Sequence, residues 1–141
     1  MKRRAFLAGA GAASAGLAGC LGMVGGESQR REFDVGMRSN AFLPDEFEIA
    51  VGETVTWLNT GSRRHTVTAY EARIPDGADY FASGGYESEM EARDAWISSF
   101  GGVINPGETY EHTFEVAGDH HYVCLPHEGV GMTGVIHVTD G

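Results

Sequence analysis

The chain has 141 residues, with ten basic and twenty acidic side chains and two cysteines. That length suits one small domain around a single core, and loss of residues 1–19 would leave seven basic residues against twenty acidic ones, a formal charge of −13. So acidic a body excludes a nucleic-acid surface and disfavours electrostatic attachment to anionic lipid.

The first segment carries an address. Lys2-Arg3-Arg4-Ala5-Phe6-Leu7 is a charged start whose arginine pair resembles the twin-arginine export consensus through R-R-x-F-L. Ala8 to Gly19 is apolar but too short and glycine-rich for a comfortable membrane span. Leu17-Ala18-Gly19-Cys20 resembles a lipobox, which predicts a signal peptide over 1–19 and a lipidated Cys20 as the first mature residue. Residues 20–32 mix Gly, Ser, Gln and charges without a period and read as a lipid-anchored linker. The only lysine, Lys2, leaves with the signal.

From residue 33 to 141 strand signals dominate. Phe33, Val35 and Met37 share a face, as do Phe47, Ile49 and Val51, then Val55 and Trp57. Gly52-Glu53 and Pro106-Gly107-Glu108 read as turns that open strands. Between Arg73 and Gly102 the alternation fails. There a short helix is predicted around 88–97, with Ser88 as its cap and Glu91 three residues later. The segment reads as an ordinary connection between sheets, against the alternative of a docking surface built from Tyr80, Phe81 and Tyr86. Tyr110, His112, Phe114 and Val116 then alternate with Thr109, Glu111, Thr113 and Glu115. Short strands divided by Gly, Pro and Asn turns predict an all-β fold, a β-sandwich.

The chemistry gathers late in the chain. Cys124-Leu125-Pro126-His127-Glu128-Gly129-Val130-Gly131-Met132 places a thiol, an imidazole and a thioether in nine residues, as C-x2-H-x4-M. His65 offers a second imidazole after the apolar run Val55-Thr56-Trp57-Leu58. One thiolate, two imidazoles and a weak axial thioether are the donor set of a blue-copper electron-transfer site. Soft sulfur favours Cu(I) while imidazole also suits Cu(II), so a site that satisfies neither state completely changes little when the electron moves. Pro126 fixes its own φ and biases Leu125 toward an extended shape, and Gly129 and Gly131 supply loose backbone to bring Met132 back. Taken singly these residues are bland: Cys124 a buried small hydrophobe, Met132 core filling, His65 a surface histidine beside Arg63 and Arg64. Their joint spacing points to a metal. Zinc accepts Cys and His, but a thioether is a poor zinc donor, so Met132 favours copper. His112, His120, His121 and His137 read as structural. A disulfide between Cys20 and Cys124 would remove the thiolate and staple an export segment to the core.

The segment Tyr122 to Gly134 closely resembles the copper loop of plastocyanins and halocyanins. Azurins and amicyanins differ in the Cys-to-His or His-to-Met spacing. The resemblance runs roughly from Phe33 to Thr139, through Val55-Thr56-Trp57-Leu58-Asn59, His65-Thr66-Val67 and Pro106-Gly107-Glu108-Thr109-Tyr110. It implies a Greek-key, cupredoxin-like sandwich over 33–141 and one copper ion held by His65, Cys124, His127 and Met132. In that family an Asn often follows the first His and helps hold the copper loop. Thr66 stands there in this chain, and its hydroxyl is the candidate substitute. The acidic, lysine-poor body resembles proteins of halophilic archaea, where halocyanins occur.

These readings predict a lipid-anchored, monomeric, single-copper electron carrier on the extracytoplasmic face of the cell membrane. Its partners would be protein redox donors and acceptors. The alternative is a copper-handling protein that stores or delivers the ion, which the scattered methionines disfavour. No nucleophile–base pair or paired carboxylate site argues for an enzyme. The electron is expected to enter at His127, inside an apolar rim of Leu43, Pro44, Pro126 and Val130.

Overall fold

The computed structural model describes residues 33–140. The signal peptide, linker and lipidated Cys20 predicted from the sequence lie outside the described residues.

Two four-stranded sheets make a sandwich. The first contains β1 (Val35–Arg38), β2 (Ala41–Leu43), β4 (Thr54–Asn59) and β6 (Thr109–Thr113), in the order β2-β1-β4-β6. The second contains β3 (Glu46–Ala50), β5 (Thr68–Ala69), β7 (Gly118–Val123) and β8 (Thr133–Thr139), in the order β3-β8-β7-β5. Both sheets are mixed, because β1 runs parallel to β4 and β3 parallel to β8. The predicted alternation explains the burial. Val35, Met37, Val55 and Trp57 are fully buried, and the register sets Val35 beside Trp57. Trp57 is the centre of the core, with the rings of Phe81, Tyr110, Phe114 and Tyr122 at 5.4–6.4 Å.

The alternation overruns β6, which ends at Thr113, and also β3. Val51 is exposed, because β3 ends at Ala50 and Gly52 turns the chain at φ +93°. One close approach fixes the other end of the second sheet. A Cβ on Gly134 would lie 2.6 Å from the Tyr122 ring, so only glycine lets β8 pass its registered partner on β7. That contact places β7, the strand that leads into Cys124.

The predicted helix is present as α1 (Glu89–Ser99), two residues longer at its end than the pattern suggested. Ser88 Oγ accepts from the Glu91 N–H at 3.1 Å, and the Glu91 carboxylate accepts from the Glu87 N–H at 3.0 Å. Of the aromatic trio before it, Phe81 is buried in the core and Tyr80 donates to the Ala69 carbonyl at 2.8 Å. Phe81 therefore belongs to the core packing, while Tyr80 and Tyr86 line a cleft together with Tyr110 and His112.

Candidate metal centre

His65 is delivered by a loop that leaves β4. Asn59, buried at the end of that strand, donates to the carbonyls of Arg63 at 2.7 Å and Ile104 at 2.8 Å. Its own side-chain oxygen accepts from the Gly61 N–H at 3.0 Å. His65 and Ile104 then exchange backbone hydrogen bonds of 3.2 and 2.7 Å. One side chain thus shapes the turn, and the bridge to Ile104 holds the imidazole inside. Alone, His65 reads as a surface histidine, but it is fully buried.

Cys124 follows β7 in extended geometry and caps a short 3-10 segment, Leu125–Val130. The His127 N–H donates to the Cys124 carbonyl at 3.1 Å, which folds the loop over the thiol. Leu125 belongs to that turn, so the extended shape expected before Pro126 is found one residue earlier, at Cys124. The cause is a bond from a distant part of the chain. Thr66 Oγ1 accepts from the Leu125 N–H at 2.9 Å and holds it into the turn. The threonine hydroxyl thus takes up a bond to the copper loop, as expected of a substitute for asparagine. Of the two glycines credited with loosening the loop, only Gly131 takes the left-handed region, at φ +86°. Met132 closes the segment. Its N–H donates to the His127 carbonyl at 3.2 Å, its carbonyl accepts from the Cys124 N–H at 3.0 Å, and its side chain is buried.

Three donors converge. Cys124 Sγ lies 3.5 Å from His65 Nδ1 and 3.4 Å from His127 Nδ1. First-row ions bind thiolate at about 2.3 Å and imidazole at about 2.0–2.1 Å, so this spacing leaves room for one ion between the donors. Among the described residues this is the one such group of His, Cys and acidic side chains, and it holds no carboxylate. Burial favours the neutral form of each donor. It pulls His65 down to about 4, helped by His127 and Arg63, and it lowers His127 too. It pushes the Cys124 thiol up to about 11, against backbone hydrogen bonds from Thr66 and His127. Both imidazoles therefore keep their lone pairs at neutral pH, and a bound cation would displace the thiol proton. Two neutral imidazoles, a thiolate and a thioether suit copper in both oxidation states, so the residues fit the ion.

The other histidines do not join this group. His112 packs on Phe81 and Phe114, at 4.8 and 4.6 Å between ring centres. His120 Nε2 lies 2.9 Å from the Val116 carbonyl, and His137 bridges Asp119 and Glu46 at 2.7 and 3.0 Å. Sequence reasoning missed a neighbour of His127. The Glu128 carboxylate receives both terminal nitrogens of Arg93, at 2.8 and 3.1 Å, and the Tyr70 hydroxyl at 3.0 Å.

Comparison with known proteins agrees with this geometry. The family described as copper binding proteins, plastocyanin/azurin family, matches residues 30–139. Plastocyanin of Capsella bursa-pastoris is 36% identical over 100 residues, covering 71% of this chain and 89% of that one. Plastocyanin of Scenedesmus fuscus is 34% identical over 97 residues, covering 69% and 85%. In fold, the chain is similar to pseudoazurin from Methylobacterium extorquens, with a TM-score of 0.54 at 24% identity over 76% of this chain and 74% of that one. The chain belongs to the plastocyanin/azurin family of copper binding proteins.

Proposed function

We propose that the protein is a one-electron carrier of the blue-copper kind, with His65, Cys124, His127 and Met132 as its ligands. We further propose that lipid on Cys20 holds it at the extracytoplasmic face of the membrane, where it shuttles between redox complexes. The observation that carries the reading is the donor set, a buried thiol 3.4–3.5 Å from two imidazole nitrogens with no carboxylate among them. When bound, copper supplies a one-electron couple between Cu(I) and Cu(II). The protein's part is to hold the donors still. Asn59, Ile104, Thr66 and the backbone of Met132 fix the ligand segments from both sides, so little has to rearrange when charge changes.

Electron entry is assigned to the His127 side. Leu43 and Val130 are 50% and 65% exposed, and Leu43 and Pro44 share a groove with Gly131, Met132 and Thr133. An apolar rim suits brief contact, while the acidic body steers partners only over distances that salt screens. The plastocyanins among its relatives favour electron carriage over copper delivery.

Voltammetry tests both readings. A carrier keeps its signal through repeated cycles in the presence of a copper-free acceptor protein, whereas a delivery protein loses its ion to that acceptor. Met132→Leu should raise the potential, because even a weak axial donor stabilises the more highly charged Cu(II) more than no donor does. Met132→Gln should lower it, because a harder oxygen favours Cu(II). Each tenfold change in relative affinity for the two states is about 59 mV, and shifts of at least that order are expected. Unchanged potentials in both variants would remove Met132 from the ligand set. For the anchor, mass spectrometry of the mature N-terminus should find acylated Cys20. An unmodified peptide beginning elsewhere rejects the anchor.

A further inference from the structure

Backbone hydrogen bonds close the loop that carries His127 at both ends, but its middle is bent and partly exposed. His127 sits at a kink, at φ −123° and ψ 18°, between two turns, and Val130 beyond it is exposed. Yet the residue next to the ligand is tightly bound. Glu128 accepts a bidentate pair from Arg93 and a third hydrogen bond from Tyr70. Arg93 is itself fixed, because its Nε donates to Glu89 at 2.8 Å one turn back on α1. Glu89 and Glu71 then cap each other's backbone, with bonds of 2.9 and 3.0 Å. Glu71 opens the 3-10 turn Glu71–Arg73, directly after Tyr70.

The chain of bonds therefore starts beside one ligand and returns to the segment that carries the other. Tyr70 follows β5, which continues from His65 and Thr66. Helix α1 ties the two ligand segments together through the Arg93 guanidinium, alongside the direct bond from the Tyr70 hydroxyl to Glu128. We propose that Arg93 is a positioning residue for the metal ligand His127, acting through Glu128. The proposal rests on the copper reading above for the identity of the ligand, but its mechanism is a restraint on the loop.

Magnitudes favour restraint over bulk stability. Arg93 and Glu128 side chains are 33% and 37% exposed, and ion pairs this wet contribute little to folding. A bidentate fork nonetheless fixes orientation as well as distance, which a lysine's point charge does not. The 11-residue helix buries only Ala92 among its own residues, so its packing alone does not explain why it is held here. Anchoring the loop gives it a role.

The test compares Arg93→Gln, Arg93→Lys and Glu128→Gln with Arg38→Gln, which removes an equal charge from an exposed position at the end of β1. In the metal-free protein, amide hydrogen exchange at His127, Gly131 and Met132 should speed up about tenfold in Arg93→Gln. Amides in β7 and β8 should keep wild-type rates. In the copper-loaded protein, release of copper to a chelator should quicken by a similar factor, and Arg93→Lys should recover only part of the difference. Arg93→Gln with Glu128→Gln should be no worse than the more severe single change. Loop exchange equal to that of Arg38→Gln overturns the proposal. So does a uniform rise across the strands, which would mean simple destabilisation. If the wild-type protein bound no copper, the copper reading would fall, while the exchange measurement would still decide whether Arg93 braces the loop.

Discussion

Cys124→Ser should abolish the intense visible absorption of the copper-loaded protein while leaving the fold intact. The intensity requires a thiolate on the metal, and Cys124 Sγ is the sulfur placed between both imidazoles. The free thiol is held protonated, up to about 11, because burial disfavours its charge. A cation close by reverses that preference, since a coordinating thiol is deprotonated outright. A serine hydroxyl is harder and far less acidic, and it provides no sulfur orbital for the transition. The fold should tolerate the change. Serine is slightly smaller, and two neutral imidazole nitrogens stand ready to accept its proton in a hydrogen bond. Loss of the band should therefore be essentially complete, with the melting temperature of the metal-free variant within a few degrees of wild type. A full-strength band in the serine variant would overturn the assignment of Cys124.

Local order explains what was legible in the sequence. Cys124, His127 and Met132 are joined by a loop whose bonds close within nine residues, so linear spacing carries their geometry. The strands around Val35, Val55 and Trp57 were legible for the same reason, since a period of two survives wherever one face is buried. Pairing across the sequence was not legible. Asn59 reaches Ile104 across 45 positions, and nothing near either residue announces the bond. The Glu89–Arg93 pair stood in plain view at i,i+4 on a predicted helix, but its third member, Glu128, lies 35 residues further on. The same logic explains Leu125. A proline rule expects it extended, but the Thr66 hydroxyl, 59 positions away, holds its N–H in the turn. Resemblance supplied the identity of His65 as partner to the loop, and the Asn59 hub supplies the physical reason that it is buried there.

The metal-free protein should lose stability steeply in acid, and His65 sets the scale. Its folded-state value lies near 4, against an ordinary histidine value of 6.5, because burial and the neighbouring His127 and Arg63 disfavour its charge. Unfolding exposes the ring and restores the ordinary value. Between pH 6.5 and 4 the unfolded chain therefore takes up a proton that the folded chain refuses, and stability falls with falling pH. The contribution is intact above 6.5 and fully lost below about 4. Each pH step of one across that window removes about 1.4 kcal/mol, so the loss is roughly 3 kcal/mol. His112, His120 and His127 are lowered in the same direction by burial and add to it. His137 acts oppositely: Asp119 and Glu46 raise it, so its contribution is present in acid and fades as pH rises. That bridge is partly wet, and the buried rings should dominate. Denaturant titrations of the metal-free protein at several pH values measure the slope directly. His65→Gln should flatten it, since glutamine has no proton to take up. Stability that stayed level from pH 6.5 to 4 would mean that His65 protonates inside the folded protein, and that its burial does not keep the donor neutral for the metal.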